Sequence, residues 1–88
     1  MITVHIPFQM RDLTSGTESV EVEGRSVREI VRALDARFAG FEERVTQDGR
    51  LAPGLAVVID NEVNSLGILA KVPDGSVVHF VPAIAGGI

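Results

Sequence analysis

The sequence predicts an α+β domain in which a single helix covers one face of a mixed β-sheet. Residues 2–8 alternate between apolar and polar side chains, as in a half-buried strand. Residues 26–38 combine a capping signal with apolar residues at helical spacing, and residues 77–81 form an apolar run that Pro82 ends. With 88 residues, the chain has room for one hydrophobic core.

The first two strands are predicted to form an N-terminal hairpin. The period of two in the first strand directs one set of side chains toward the core: Ile2, Val4, Ile6 and Phe8. His5 falls on the outward face and is interpreted as an ordinary surface histidine. Turn-forming residues between positions 10 and 17 lead to a second strand at residues 19–23, whose Val20 and Val22 point inward.

The main helix is predicted to begin at a capping box formed by Ser26 and Glu29. The Ser26 hydroxyl can accept a hydrogen bond from the Glu29 backbone N–H, and the Glu29 carboxylate can reach back to Ser26. Gly40 is expected to close the helix in the left-handed conformation. One helix face carries the apolar side chains expected to pack on the sheet: Val27, Ile30, Val31, Leu34 and Phe38.

The second half of the chain is predicted to supply the other strands. A short helical turn is expected at residues 41–45, and a strongly apolar strand at residues 55–59. Residues 64–72 are interpreted as irregular structure with a short edge strand. Turns are expected at residues 47–50, 60–62 and 73–75. The last strand begins at Ser76, and because a helix and a long crossover separate it from the first strand, the two can pair in parallel.

Composition argues against several classes of function. A net charge of −4, with no cluster of basic residues, disfavours nucleic-acid binding. The sequence has no cysteine, which removes thiolate metal sites, and its two isolated histidines do not predict a metal site. No apolar run approaches the ~18 residues of a membrane span, and the start lacks a signal-peptide pattern, so we expect a cytoplasmic protein. No catalytic set or phosphate-binding loop is recognisable, so we do not expect an enzyme.

The final stretch of the chain gives the most specific indication of function. We divide the chain into a domain at residues 1–82 and a flexible tail at residues 83–88. After Pro82 the tail has small and aliphatic residues and then Gly86 and Gly87. Because glycine has no Cβ, a Gly-Gly segment can thread a narrow channel. This suits a tail whose terminal carboxylate must reach a nucleotide in the active site of another enzyme.

These features resemble the β-grasp sulfur carriers of the MoaD/ThiS type, which share the ubiquitin fold. The resemblance covers nearly the whole chain and implies a β-grasp (ubiquitin-like) sheet with one main helix. It rests on Phe38-Ala39-Gly40, Asp48-Gly49-Arg50-Leu51, Val57 to Glu62, Pro73-Asp74-Gly75 and Phe80 to Gly87. The last of these segments is the most specific.

The resemblance implies a carrier whose partners perform the chemistry. In this family an ATP-dependent adenylating enzyme converts the carboxylate of the second glycine to an acyl-adenylate, and sulfur then replaces AMP. The resulting thiocarboxylate supplies sulfur for molybdopterin, thiamine, cysteine or a related product, through an acceptor synthase. Carried over to this sequence, the reactive residue is Gly87. The carrier itself binds no cofactor, since ATP is used by the adenylating enzyme.

Ile88 departs from the family pattern, in which the tail commonly ends at Gly-Gly. A β-branched residue would crowd a channel shaped for glycine, so we expect a peptidase to remove Ile88 before activation. Two alternatives stay open. One is a β-grasp binding module that keeps its tail and regulates a partner. The other is a ubiquitin-like modifier that becomes joined to lysines.

Alternation in the last strand predicts both the core and a partner-binding face. Six side chains are expected to share one core: Val27, Ile30, Val31, Leu34, Val78 and Phe80. The same period of two directs Val77, His79 and Val81 to the opposite face of the sheet, and Val58 joins them if Val57 and Ile59 point inward. An apolar patch on the open side of a sheet commonly marks an interface, so these four residues are predicted to bind the adenylating enzyme.

Overall fold

A computed structural model describes residues 1–82 of the chain as a five-stranded mixed sheet with helices on one face. The elements are β1 (Ile2–His5), β2 (Ser19–Val22), α1 (Val27–Arg37), α2 (Phe41–Val45), β3 (Thr46–Gln47), β4 (Arg50–Leu51), β5 (Leu55–Ile59), β6 (Glu62–Asn64) and β7 (Val77–Pro82). The sheet order is β2-β1-β7-β5-β6, so the last strand is central. β7 pairs in parallel with β1, as predicted, and antiparallel with β5. The division at residue 82 stays a prediction, because residues 83–88 lie outside the described part.

The start of α1 follows the predicted capping signal with one difference. The Ser26 side chain accepts a hydrogen bond from the Glu29 N–H at 3.2 Å. The Glu29 carboxylate, however, accepts from the Arg25 N–H at 2.8 Å rather than from Ser26. Both bonds satisfy backbone donors near the first turn of the helix, which lack intrahelical partners.

The end of α1 differs from the prediction made for Gly40. The helix stops at Arg37 because Phe38 adopts extended backbone angles, with φ of −131°. Gly40 is left-handed, with φ of 95°, but it precedes α2 rather than capping α1. The Asp35 carboxylate accepts from the N–H groups of Gly40 and Glu42 at 3.2 and 3.0 Å, which ties the two helices together at this corner.

The core lies between the helices and the sheet. All six residues predicted to share it are buried there, and Phe38 packs against its edge. Phe41 of α2 meets Phe80 of β7 edge to face, with ring centroids 6.2 Å apart. Aromatic pairs in this geometry contribute beyond the apolar area that they bury. The α2 contact therefore attaches the second helix to the central strand.

Phe8 was expected in the core, and that expectation is wrong. β1 ends at His5, and Pro7 precedes a 3-10 turn at Phe8–Met10. Proline has no N–H for a sheet ladder, so the alternation of the strand does not continue past it. Phe8 is consequently 80% exposed, and Met10 takes a place in the core with 3% exposure.

The edge strand also begins earlier than expected. β5 turns directly into β6 through Asp60 and Asn61, which both have positive φ. Two such residues form the tight turn that matches the twist of a hairpin, and Asp and Asn tolerate this conformation better than most residues. Glu62 therefore already belongs to the strand, whereas the sequence placed it in the turn. None of the helices in the described part is long and apolar enough to cross a membrane.

Candidate docking face and C-terminal tail

The face of the sheet opposite the helices brings together all four residues predicted to bind a partner. On β7, Val78 and Phe80 are buried under the helices, while Val77, His79 and Val81 are half-buried on the other side. Val58 of β5 pairs in register with His79, and its neighbours Val57 and Ile59 point into the core. The alternation read from the sequence thus gave the correct facing for these residues. Their role in binding stays a prediction.

Strand register adds two residues to this surface. Val63 of β6 lies opposite Val58 and is 73% exposed, and His5 of β1 lies opposite His79. We call the resulting surface the open face. It consists of His5, Val58, Val63, Val77, His79 and Val81. The sequence showed that His5 faces outward. Its position beside His79, however, depends on the register of two strands whose paired residues are 74 positions apart in the chain (79 − 5 = 74).

The two histidines of the open face stack on one another. Their ring centroids are 4.3 Å apart and the ring planes differ by 1°. Burial lowers the pKa of His79 below its ordinary value of 6.5, and the charge of His5 lowers it further. Both causes favour the uncharged form of His79. His79 therefore brings less positive charge to the open face near neutral pH than a histidine in water would.

A shallow cleft beside the histidines lies near the C-terminal end of β7. It is lined by the histidine pair together with Phe8, Arg11, Val81 and Pro82. The Arg11 guanidinium lies 5.6 Å from the centroid of the exposed Phe8 ring, a cation–π arrangement. The sequence analysis missed this group, because it assigned Phe8 to the core.

The strand that leads to the tail is held firmly. β7 pairs with β1 on one side and with β5 on the other. At its start, the Val77 N–H donates to the Asp60 carboxylate at 2.9 Å, and the Asp60 N–H donates to the Val77 carbonyl at 2.9 Å. β7 is therefore paired along its whole length, and its last residue, Pro82, still pairs with Leu55 of β5. The predicted tail residues Gly86, Gly87 and Ile88 lie outside the described part of the chain, so their assignment remains a prediction.

Within residues 1–82, no three histidine or carboxylate side chains converge in a way that could hold a metal ion. The two histidines stack face to face, and the lone pairs of an imidazole lie in the plane of its ring, so the pair does not aim at a common ion. The arrangement instead presents a mostly apolar surface with one aromatic pair at its middle. Such a surface is suited to binding another protein.

Comparison with known proteins gives consistent matches over nearly the whole chain. The profile of the ThiS family matches residues 4–87. The sulfur carrier protein CysO of Mycobacterium tuberculosis is 32% identical over 91 aligned positions, which cover 98% of each chain. CysO of Mycobacterium bovis matches to the same extent.

Solved structures give the same picture. A chain of the Amycolatopsis orientalis BexX/CysO complex is 35% identical, with a TM-score of 0.89 and coverage of 99% of this chain and 100% of that one. The crystal structure of Mycobacterium tuberculosis CysO is 28% identical, with a TM-score of 0.86 and coverage of 96% and 100%. The predicted β-grasp fold is therefore confirmed.

Proposed function

This chain belongs to the ThiS family, and from that premise we propose that it is a sulfur carrier activated at Gly87. The observation that carries the proposal is the extent of the family match, which runs through Gly87 in a chain 32% identical to CysO proteins over 98% of its length. A carrier role also fits the molecule, which has an apolar face for a partner and a central strand that is followed in the sequence by Gly86 and Gly87.

The proposed reaction uses Gly87 as a co-substrate of the adenylating enzyme. The Gly87 carboxylate oxygen attacks the α-phosphorus of ATP, and pyrophosphate leaves. Sulfide then attacks the acyl carbon, AMP leaves with the carboxylate oxygen that it carries, and a thiocarboxylate remains. The carrier contributes position rather than acid–base chemistry: β7 anchors the tail, and the absence of a Cβ lets the acyl group enter a narrow site.

For the sulfur acceptor, we propose cysteine-type biosynthesis rather than molybdopterin or thiamine. The support is the similarity to CysO in both sequence and structure. The BexX/CysO complex adds that a carrier of this shape forms a complex with a partner protein. An acceptor enzyme that receives the thiocarboxylate is therefore a second partner of this chain, beside the adenylating enzyme.

The direct test of the carrier role is intact mass spectrometry. The protein trimmed to Gly87 is incubated with the purified adenylating enzyme, ATP and sulfide. We expect the mass of the carrier to increase by the difference between one sulfur atom and one oxygen atom. A trimmed protein that is never activated would favour the binding-module alternative, and an isopeptide to lysine in place of a thiocarboxylate would favour the modifier.

Val81→Asp tests whether the open face binds the adenylating enzyme. The half-buried Val81 side chain lies on the open face, so an aspartate there places a charge in the contact, and burying an unpaired charge is costly. We expect loss of binding in calorimetric titration with the enzyme, while the thermal unfolding of the carrier is retained.

Leu69→Asp is the matched control for this substitution. Leu69 is also apolar and is 64% exposed, but its 3-10 turn at Gly67–Leu69 packs against α1, on the helix side of the sheet. We expect this variant to bind the enzyme as the wild type does. Equal binding by wild type, Val81→Asp and Leu69→Asp would remove the open face as the docking surface.

A further inference from the structure

The middle of the open face consists of two stacked histidine side chains. The register across the sheet runs Ser19, His5, His79, Val58 and Val63, so the stacked imidazoles lie between a serine on one side and two valines on the other. Their ring centroids are only 4.3 Å apart. Any protein that covers Val58 and Val81 must also cover at least His79, because His79 pairs with Val58 and precedes Val81 by two residues on the same face.

The charged groups around the pair offer little to stabilise an imidazolium. On the segment after β1, the Arg11 guanidinium lines the same cleft and carries the same sign as a protonated histidine. On β2, Glu21 lies on this face opposite Thr3, two residues along from the position opposite His5. Asp60, in the turn that follows β5, lies beyond the last pair of β5 with β7, and its carboxylate accepts a hydrogen bond from the Val77 N–H. Within residues 1–82, neither imidazole forms an ion pair with a carboxylate.

Protonation of this pair opposes the covering of the open face for two reasons. A second positive charge, on a ring whose centroid lies 4.3 Å from that of the first, is repelled by it, and within residues 1–82 no ion pair with a carboxylate offsets that repulsion. A bound partner also removes water from the rings, which penalises the charged form of histidine. Burial and the charge of His5 already lower the pKa of His79 in the free carrier, and a docked partner acts in the same direction.

We propose that the His5–His79 stack makes docking on the open face proton-sensitive: the carrier binds the adenylating enzyme when both imidazoles are neutral and is released when the pair takes up a proton. The proposal rests on the proposed function, because it concerns the same face and the same partner. The sign follows from linkage: a group that binds protons more weakly in the complex than in the free protein weakens the complex as the pH falls. Protonation therefore acts on the docking step, before any chemistry at the tail.

The test compares the pH dependence of binding in two forms of the carrier. The dissociation constant for the adenylating enzyme is measured by calorimetry from about pH 7.5 to about pH 5.5, which spans the ordinary pKa of histidine. The second form carries His5→Gln and His79→Gln, which remove the titrating groups and keep polar side chains. For the wild type we expect the affinity to fall about threefold or more over this range, because a difference of one pKa unit between free and bound states changes the affinity tenfold only at a pH well below both pKa values.

The double variant isolates the contribution of the pair, because the enzyme's own titrating groups are the same in both measurements. A clearly smaller pH dependence in the variant supports the proposal, and the same dependence in both forms overturns it. If the double variant binds too weakly to measure, histidine Cε1–H resonances are followed by NMR in the free and bound wild-type carrier. Titration of His79 at a lower pH in the complex supports the proposal, and titration at an unchanged pH overturns it.

The Val81→Asp variant separates this inference from the proposed docking face. Loss of binding by Val81→Asp, together with equal pH dependence in the wild type and the double variant, rejects the proton-sensitive pair alone. Full binding by Val81→Asp near neutral pH rejects the docking face and with it the inference. Circular dichroism of the free carrier over the same pH range confirms that the fold is retained in each measurement.

Discussion

Truncation of Phe80 to alanine is expected to lower the free energy of unfolding by about 3–5 kcal/mol. Phe80 lies on the central strand with 2% of its surface exposed, and its ring meets that of Phe41 edge to face. Alanine would leave a cavity between the sheet and α2, because β7 is fixed by β1 and β5 and cannot move to fill it. A domain of this size has a total stability on the order of 5–13 kcal/mol, so the loss is a large part of it.

The matched control is Phe8→Ala, which removes the same side chain from the surface. Phe8 is 80% exposed, so its truncation is expected to change the stability by less than about 0.5 kcal/mol. Urea unfolding of the two variants and the wild type, followed by circular dichroism, gives both differences. A loss below about 1 kcal/mol for Phe80→Ala would mean that the facing of β7 is inverted and that the open face is the true core side.

The facing of side chains could be predicted from the sequence wherever a strand ran without interruption. In β7 and β5, alternation assigned Phe80 and Val57 to the core face. It assigned Val81 and Val58 to the opposite face, and the structure agrees at each position. The same reasoning failed at Phe8. The period of two was extended across Pro7, although proline ends the ladder on which the period depends.

The arrangement across the sheet could not be predicted in the same way. The predicted parallel pairing of the first and last strands was correct. His5 lies beside His79, however, only because of the register of that pairing, which the sequence did not predict. Alternation within a strand gives the face of a residue and not its neighbour on the next strand. The His5–His79 stack and the addition of Val63 to the open face are therefore findings of the structure.

Removal of Ile88 is expected to change the protein from a form that cannot be activated to one that can. With Ile88 in place, the carbonyl of Gly87 is part of a peptide bond and has no carboxylate oxygen to attack ATP. In the 88-residue chain the terminal carboxylate instead belongs to Ile88, whose two branches at Cβ crowd a site shaped for glycine. The trimmed protein should therefore form the thiocarboxylate with enzyme, ATP and sulfide, and the full sequence should form none.

Gly87→Ala in the trimmed protein tests whether activation depends on the absence of a Cβ at residue 87. The substitution keeps the carboxylate and the chain length and adds one methyl group, so a site that admits only glycine at this position should reject it. Residue 87 falls in the predicted tail rather than in the predicted domain at residues 1–82, so thermal unfolding is expected to match that of the trimmed parent. Intact mass spectrometry after incubation with the adenylating enzyme, ATP and sulfide gives the extent of activation for the full-length protein, the trimmed protein and its Gly87→Ala variant.

A thiocarboxylate formed on Ile88 without trimming would refute the precursor model. Full activation of Gly87→Ala would show that the terminal carboxylate matters and the absence of a Cβ does not.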